Sequence, residues 1–487
     1  MNQVIDYHAI LPELILSATV LVVLVVDVFL PARRKWLSMP VALFGVLATL
    51  GAVLSLLGEH RSTFDGMFVV DNFAILFKLF FLTVAIVVLL LSLRYFREGG
   101  FYQGEYYFLL LTSFLGCLLM PSSRDLLMLF ISLELVSAPG FLMAAFRKND
   151  PRGNEGGMKF FLIGVLSTAV MLYGMSIVYG ITGTTRLVEI GRSLATIASG
   201  QETLVFAAIL FIVAGFAFKV SAVPFQFWSP DTYEGSPVPV AAFLAVASSA
   251  AGFAGLLQLM FVAFPAQAHF WTPIFAALSV TTMTIGNLVA LQQRQVVRLL
   301  AYSGIAQTGY ILLPFALVGA SPSIDKDAFA AAVTYILIYG VMTLGAFAVT
   351  IAVSRRSPGL LISDFAGLVR RAPLLAVGMT AFMVSLAGIP PTGGFWAKIF
   401  IFTVAIDRGG IGPWLAAAMV VNSVVSVAYY FAVPKAMIFQ SADDESPLRA
   451  PALVTAVVGL ALVAITATFF WPDLFARAAQ FSTLVGG

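Results

Sequence analysis

Ionisable side chains are scarce in this chain. They make up 10% of its 487 residues, 27 basic against 24 acidic. A soluble domain carries about 25%, so a water-soluble globule is excluded. The net charge of +3 is small and spread over loops, which excludes a nucleic-acid-binding face. One cysteine, Cys117, lies within an apolar run. It excludes an intramolecular disulfide and reads as a packing residue. The three histidines, His8, His60 and His269, sit near the ends of apolar runs. No metal-spaced His/Cys cluster, phosphate-binding loop, dinucleotide fingerprint or nucleophile elbow is present. Bond-making chemistry, if the protein takes part in any, is therefore expected outside this chain. The N-terminus lacks a basic region and a convincing cleavage site, so the first apolar run reads as a retained helix.

What the chain has is hydrophobic length: 60% of its residues are apolar. Most apolar runs reach about 20 residues, enough to span a bilayer core of roughly 30 Å. The pattern predicts an all-α, polytopic membrane protein embedded in a lipid bilayer. About fourteen spans are expected, at 9–30, 36–58, 71–93, 106–121, 125–146, 158–180, 203–227, 237–264, 270–292, 295–318, 327–353, 372–406, 412–439 and 450–471. If the N-terminus faces outside, inner loops hold sixteen of the 27 basic residues and outer loops seven, with Lys78, Lys159, Lys219 and Lys398 in or at the edge of spans. The bias places both termini outside. Residues 181–202 are mildly amphipathic and expected along the outer surface. Residues 354–371, with two arginine pairs around an apolar middle, belong at the cytoplasmic interface.

Two spans carry interruptions. In the seventh, Lys219 is followed by Pro224, which has no N–H and breaks the helical ladder. The twelfth contains Gly388-Ile389-Pro390-Pro391-Thr392-Gly393-Gly394, followed by Lys398. Broken backbone at membrane depth is tolerated only where protein packs around it or it lines a wet cavity. Spans 4–8 and 9–13 read as two five-helix units, each with its fourth helix broken. Five is odd, so the units are inverted, and paired broken helices point to an ion or substrate site. The order of proline and lysine differs between the two copies. The expected division is 1–100, an N-terminal three-helix segment; 101–265, the first repeat; 266–440, the second; and 441–487, a C-terminal helix.

A charge deep in a membrane span costs several kcal/mol and marks a functional site by default. Glu134 lies in mid-span, and an opposite charge nearby would stabilise the charged form of each partner while burial opposes it. Lys219 is the leading proton carrier, with Glu134 as its modulating partner; the lesser alternative is a fixed structural pair. Lys398 would serve a second half-channel. Lys159, opening the sixth span, either joins the path or snorkels to the interface. Lys78 reads as interfacial, and Glu13 and Asp27 as residues near opposite interfaces. In the tenth span Tyr302, Ser303, Gln307, Thr308 and Tyr310 could hold a water wire or simply bond neighbouring helices. Ser248 and Ser249 read as small polar residues at a packed interface.

The stretch Phe218-Lys219-Val220-Ser221-Ala222-Val223-Pro224-Phe225-Gln226-Phe227-Trp228-Ser229-Pro230-Asp231 resembles the signature of the antiporter-like subunits of respiratory complex I, the proton-pumping NADH:quinone oxidoreductase. Its continuation through Val240 resembles the N-type members, as do Ser132-Leu133-Glu134-Leu135, Arg298–Ser303 and Ser385–Pro390 leading to Lys398. The resemblance implies proton-transfer roles for Glu134, Lys159, Lys219 and Lys398. It also implies NADH, FMN, iron–sulfur clusters and quinone elsewhere in a complex, none of them in this chain, with other membrane subunits as partners in a bacterial inner membrane. Many relatives have a lysine where this chain has Ser249 and a histidine where it has Gln307. With Ser249, Ser303 and Gln307 as candidate relay positions, either water carries the proton between Lys219 and Lys398 or this copy conducts less. A subunit of a multi-subunit cation/proton antiporter and a structural membrane scaffold are the rival readings. A complex fed by another electron donor would look the same in this chain.

Overall fold

The structure, a computed structural model, describes residues 5–99, 103–196, 200–442 and 444–481. The terminal residues, on which the expected placement of both termini falls, lie outside this range. Helices α1 (Leu11–Phe29), α2 (Ser38–Leu54) and α3 (Asn72–Glu98) open the chain. They are followed by α4 (Gln103–Leu119), α5 (Leu126–Ala144), α6 (Pro151–Thr182) and the short amphipathic α7 (Leu187–Ala195). Next come α8 (Glu202–Lys219), α9 (Trp228–Gly235), α10 (Val238–Phe243) and α11 (Ser249–Gln258). The second half holds α12 (Ala268–Ala290), α13 (Val296–Leu312), α14 (Pro322–Ser354), α15 (Leu368–Arg371), α16 (Pro373–Ala387) and α17 (Gly393–Arg408). The chain closes with α18 (Gly412–Tyr430), α19 (Ala432–Phe439), α20 (Ala452–Phe470) and α21 (Asp473–Phe481).

Among the described residues, 13 helical segments are long and apolar enough to cross a membrane. The twelfth expected span is divided into α16 and α17, each too short to count singly. The seventh is shorter than expected: α8 stops at Lys219, five residues before Pro224. One hairpin, β1 (Arg61–Thr63) with β2 (Phe68–Val70), interrupts the helical pattern. Side-chain caps start several helices where loops meet the bundle. Asp71 accepts from the Ala74 N–H at 2.8 Å, and Asp125 from the Leu127 N–H at 2.9 Å. Each satisfies a donor that the helical ladder leaves free.

Burial sorts the helices into centre and rim. The segment Val238–Ala263 and helix α14 are each 94% buried over their apolar windows, against 33% for α6 and 28% for α20. The former stand in the middle of the protein and the latter at its exposed rim. The central Val238–Ala263 segment passes through a π-turn at Leu244–Ser248, where Ser249 Oγ donates to Leu244 O at 3.1 Å. Basic loops expected together are found together: Arg355 pairs with Glu98 at 2.7 Å and donates to Arg449 O at 3.1 Å. Within segment 181–202, Leu187–Ala195 forms the amphipathic α7, with Leu187, Ile190 and Leu194 buried.

Candidate functional site

Each broken helix leaves carbonyls without ladder partners, and in a bilayer these must be satisfied by protein. At the end of α8, Ala217 O accepts from Ala222 N at 2.8 Å, and Phe218 O from Ser221 N at 3.0 Å and Trp228 Nε1 at 3.1 Å. Val220 O accepts from Thr308 Oγ1 at 2.7 Å, and Thr282 Oγ1 accepts from the Val223 N–H at 3.0 Å. At the end of α16, Val384 O accepts from Gly388 N and Ile389 N, both at 3.1 Å. Leu386 O accepts from Gln307 Nε2 at 3.0 Å, and Ala387 O from Lys398 Nζ at 2.8 Å. Gly388 sits at φ +83°, and a Cβ there would lie 2.6 Å from Lys398 Cδ. Only glycine therefore allows both the turn and the lysine.

Lys219 is 1% exposed and is the last residue of α8, where the helix dipole favours a cation. Its Nζ donates to Ser137 Oγ at 2.8 Å. Ser137 stands one helical turn along α5 from Glu134, whose Oε1 accepts from Thr168 Oγ1 at 2.8 Å. Ser137 and Thr168 thus hold the two charges at neighbouring turns of α5, and no ion pair joins Glu134 to Lys219 among the described residues. Glu134 is only half-buried. Lys398, 7% exposed, follows its break in sequence but reaches back to the carbonyl end of α16. Its Nζ also lies 4.6 Å from the centre of the Tyr310 ring, a distance at which the aromatic face attracts a cation. The differing order of proline and lysine in the two copies therefore still puts each lysine at the negative end of a broken helix.

Lys159 is placed differently from the other two. Helix α6 begins at Pro151, so Lys159 lies in its third turn, half-exposed, between Glu155 at 2.7 Å and Asp231 at 2.6 Å. Asp231 also receives Arg298 NH1 at 2.7 Å, and Arg298 reaches Glu234 at 2.9 Å. Among the described residues no ion pair joins Lys159 to Glu134. This network ties α6 to α9 and α13. Burial raises the Asp231 carboxyl, but the hydrogen bonds from Lys159 and Arg298 outweigh it and hold the group below its ordinary 3.8. A depressed carboxylate contributes stability that is present above its ordinary pKa and lost as pH falls through its folded value. The network therefore stays ionised at neutral pH. Asp231→Asn is expected to cost about 1 kcal/mol, a charge-assisted bond discounted for partial exposure, with the loss read by thermal unfolding at neutral pH. No change in the midpoint would show the network to be energetically idle.

Of the candidate relay residues, Ser303 Oγ is 2.6 Å from Tyr430 OH. Gln307 donates to Tyr430 OH at 2.9 Å and accepts from Tyr335 OH at 2.5 Å. Ser249, the first residue of α11 just past the π-turn, is half-buried and apart from this chain of bonds. Lys78 and Glu13 correct the expectation most sharply. Lys78 is fully buried, its Nζ 2.7 Å from Glu13 Oε1 and 4.8 Å from the Phe68 ring centre. Neither snorkels, because α1 and α3 turn these side chains toward each other. Asp27 pairs with Lys35 at 2.9 Å. Among the described residues, no group of three or more His, Cys, Asp or Glu side chains is placed to hold a metal ion.

Residues 123–426 match the family described as "NADH:quinone oxidoreductase/Mrp antiporter, TM". The chain is 40% identical over 473 residues to the NADH-quinone oxidoreductase subunit N of Trichlorobacter lovleyi, covering 97% of this chain and 95% of the relative. The chain belongs to the NADH-quinone oxidoreductase subunit N family. A chain of respiratory complex I from Thermus thermophilus superposes on this family member with a TM-score of 0.80 at 32% identity, covering 96% of this chain and 99% of that one. A chain of the Mrp complex from Dietzia superposes at 0.84 with 20% identity, covering 98% and 97%. At that identity the likeness is one of fold. Family membership accounts for an all-α, multi-pass membrane protein.

Proposed function

We propose that this chain is the proton-translocating membrane subunit N of an NADH:quinone oxidoreductase in a bacterial inner membrane. Its partners are the other membrane subunits of the complex and the lipid bilayer. NADH, FMN, iron–sulfur clusters and quinone act elsewhere in that complex, and no nucleic acid is involved. Both termini lie on the outer side, where the sparser basic residues fall. Residues 101–265 and 266–440 act as inverted five-helix units between the N-terminal segment 1–100 and the C-terminal helix within 441–487.

The observation that carries this reading is Lys219, buried at the end of α8 and held by Ser137 one turn from Glu134. A buried ammonium titrates readily when its partner moves. Redox energy delivered by the rest of the complex changes the distance between Glu134 and Lys219, and with it the proton affinity of Lys219. The proton then passes toward Lys398 over hydroxyls and water, with Ser249, Ser303 and Gln307 near the route and Lys159 at its inner side.

The test is proton pumping by the purified complex in vesicles carrying Glu134→Ala or Lys398→Ala, with assembly and quinone reduction measured alongside. Each variant is expected to assemble and to pump fewer protons per quinone reduced. Parental stoichiometry and turnover in both would overturn the reading in favour of a structural scaffold.

A further inference from the structure

We propose that Gln307 and Thr308 are positioning residues that couple the two broken helices. The inference rests on the reading of Lys219 and Lys398 as proton carriers. Consecutive residues on an α-helix point about 100° apart, so one short piece of α13 can face two sites. Thr308 Oγ1 donates to Val220 O, the peptide immediately after Lys219. Gln307 Nε2 donates to Leu386 O, the peptide next to Ala387, whose carbonyl holds Lys398. Helix α13 therefore bonds the carbonyl of the residue after Lys219 at the first break and that of the residue before Ala387, which holds Lys398, at the second. The side chains are 1% and 5% exposed for Gln307 and Thr308, so neither bond is exchanged with bulk water.

The orientation of the Gln307 amide is fixed by its neighbours. Nε2 donates to both Leu386 O and Tyr430 OH, and Oε1 accepts from Tyr335 OH. Exchanging O and N would set the amide oxygen against the Leu386 carbonyl, acceptor to acceptor. Both amide protons and one oxygen lone pair are thus engaged, which fixes the orientation of the side chain. Its neighbour helix is equally held: α12 packs on α13, with Ser279 Oγ donating to Gly309 O at 2.7 Å and Thr282 gripping the first break through Val223. A shift of the first break, as Lys219 changes partner, either breaks the Thr308 bond or moves α13. Movement of α13 pulls on Leu386 and so on the carbonyl end that holds Lys398. An amide does not titrate at working pH. The bridge therefore transmits geometry while the proton travels on other groups.

The experiment compares Thr308→Val, Thr308→Ser and Gln307→Met in the assembled complex. Valine keeps the shape of threonine and removes the donor; serine keeps the donor. Backbone hydrogen exchange is read at both breaks, and protons pumped per quinone reduced are read in vesicles. Thr308→Val is expected to speed exchange about fivefold at residues 388–394, the far break, as well as at 220–224. It should also lower the pumping ratio without loss of quinone-reductase assembly, and Thr308→Ser should restore both. Gln307→Met should do the converse, loosening 220–224 from the other side, and it carries the test if the valine variant does not assemble. Loosening confined to the break that each residue touches, with the parental pumping ratio, overturns the coupling. Glu134→Ala separates the two ideas. Its loss of pumping with unaltered bridge variants overturns the bridge alone. Normal pumping in both Glu134→Ala and Lys398→Ala overturns the functional reading, while the exchange data still judge the bridge.

Discussion

Lys219→Ala is expected to leave an assembled complex whose proton pumping falls about tenfold or more. The variant removes the ammonium that Ser137 accepts from at the first break. A proton crossing there would have to travel as a hydrated ion in a site that otherwise costs several kcal/mol per charge. Each 1.36 kcal/mol added to a barrier is about tenfold in rate, so even partial rescue by water leaves a large deficit. Lys219→Arg keeps the charge but holds it permanently, since an arginine does not release its proton in proteins. It is expected to pump as poorly as alanine. The measurement is the initial rate of vesicle acidification with electron transfer followed in the same sample. Normal pumping in the arginine variant would show that Lys219 supplies a fixed charge and not a carried proton.

Lys78→Met is expected to destabilise the protein by about 3–5 kcal/mol, because it strands Glu13 without its cation in the interior. Glu13 is 6% exposed, and the cation that faces it is Lys78, with Nζ 2.7 Å from Oε1. The double variant Lys78→Met with Glu13→Leu removes the stranded charge as well and is expected to recover most of that loss. Thermal unfolding of the complex in detergent distinguishes these outcomes. Equal losses in the single and double variants would mean that packing around α1 and α3, and not the ion pair, sets the stability. Retained pumping in the double variant would place the pair outside the proton path.

The two interruptions were legible because proline, glycine and lysine are rare inside apolar runs and their consequences are local. The place where α8 ends was not. Residues before a proline are biased away from the helical region, but here the helix stops earlier. Ser221 takes a left-handed backbone at φ +58°, and the Trp228 indole captures Phe218 O. Both depend on chain that returns from beyond the break. The pairing of Glu13 with Lys78 was equally hidden, because the two residues are 65 positions apart and each, taken alone, sits near a helix start. Tyr335 and Tyr430 gave no signal either, since a tyrosine in an apolar span reads as packing until a partner such as Gln307 faces it.

By itself the sequence determined the class of the protein, the positions of most helices and the two places where helices must break. Hydrophobic length, the missing N–H of proline and the expense of buried charge act within one segment, so they can be read one segment at a time. The family signature after Lys219 is likewise local. Tertiary structure alone decided which groups satisfy the freed carbonyls, which charges meet and which only approach. Lys219 rests on Ser137 and not on Glu134, Lys159 joins Asp231, and α13 reaches both breaks through adjacent residues. These outcomes depend on the rotation and depth of helices far apart in the chain. Hydropathy along a single span does not encode that relative placement.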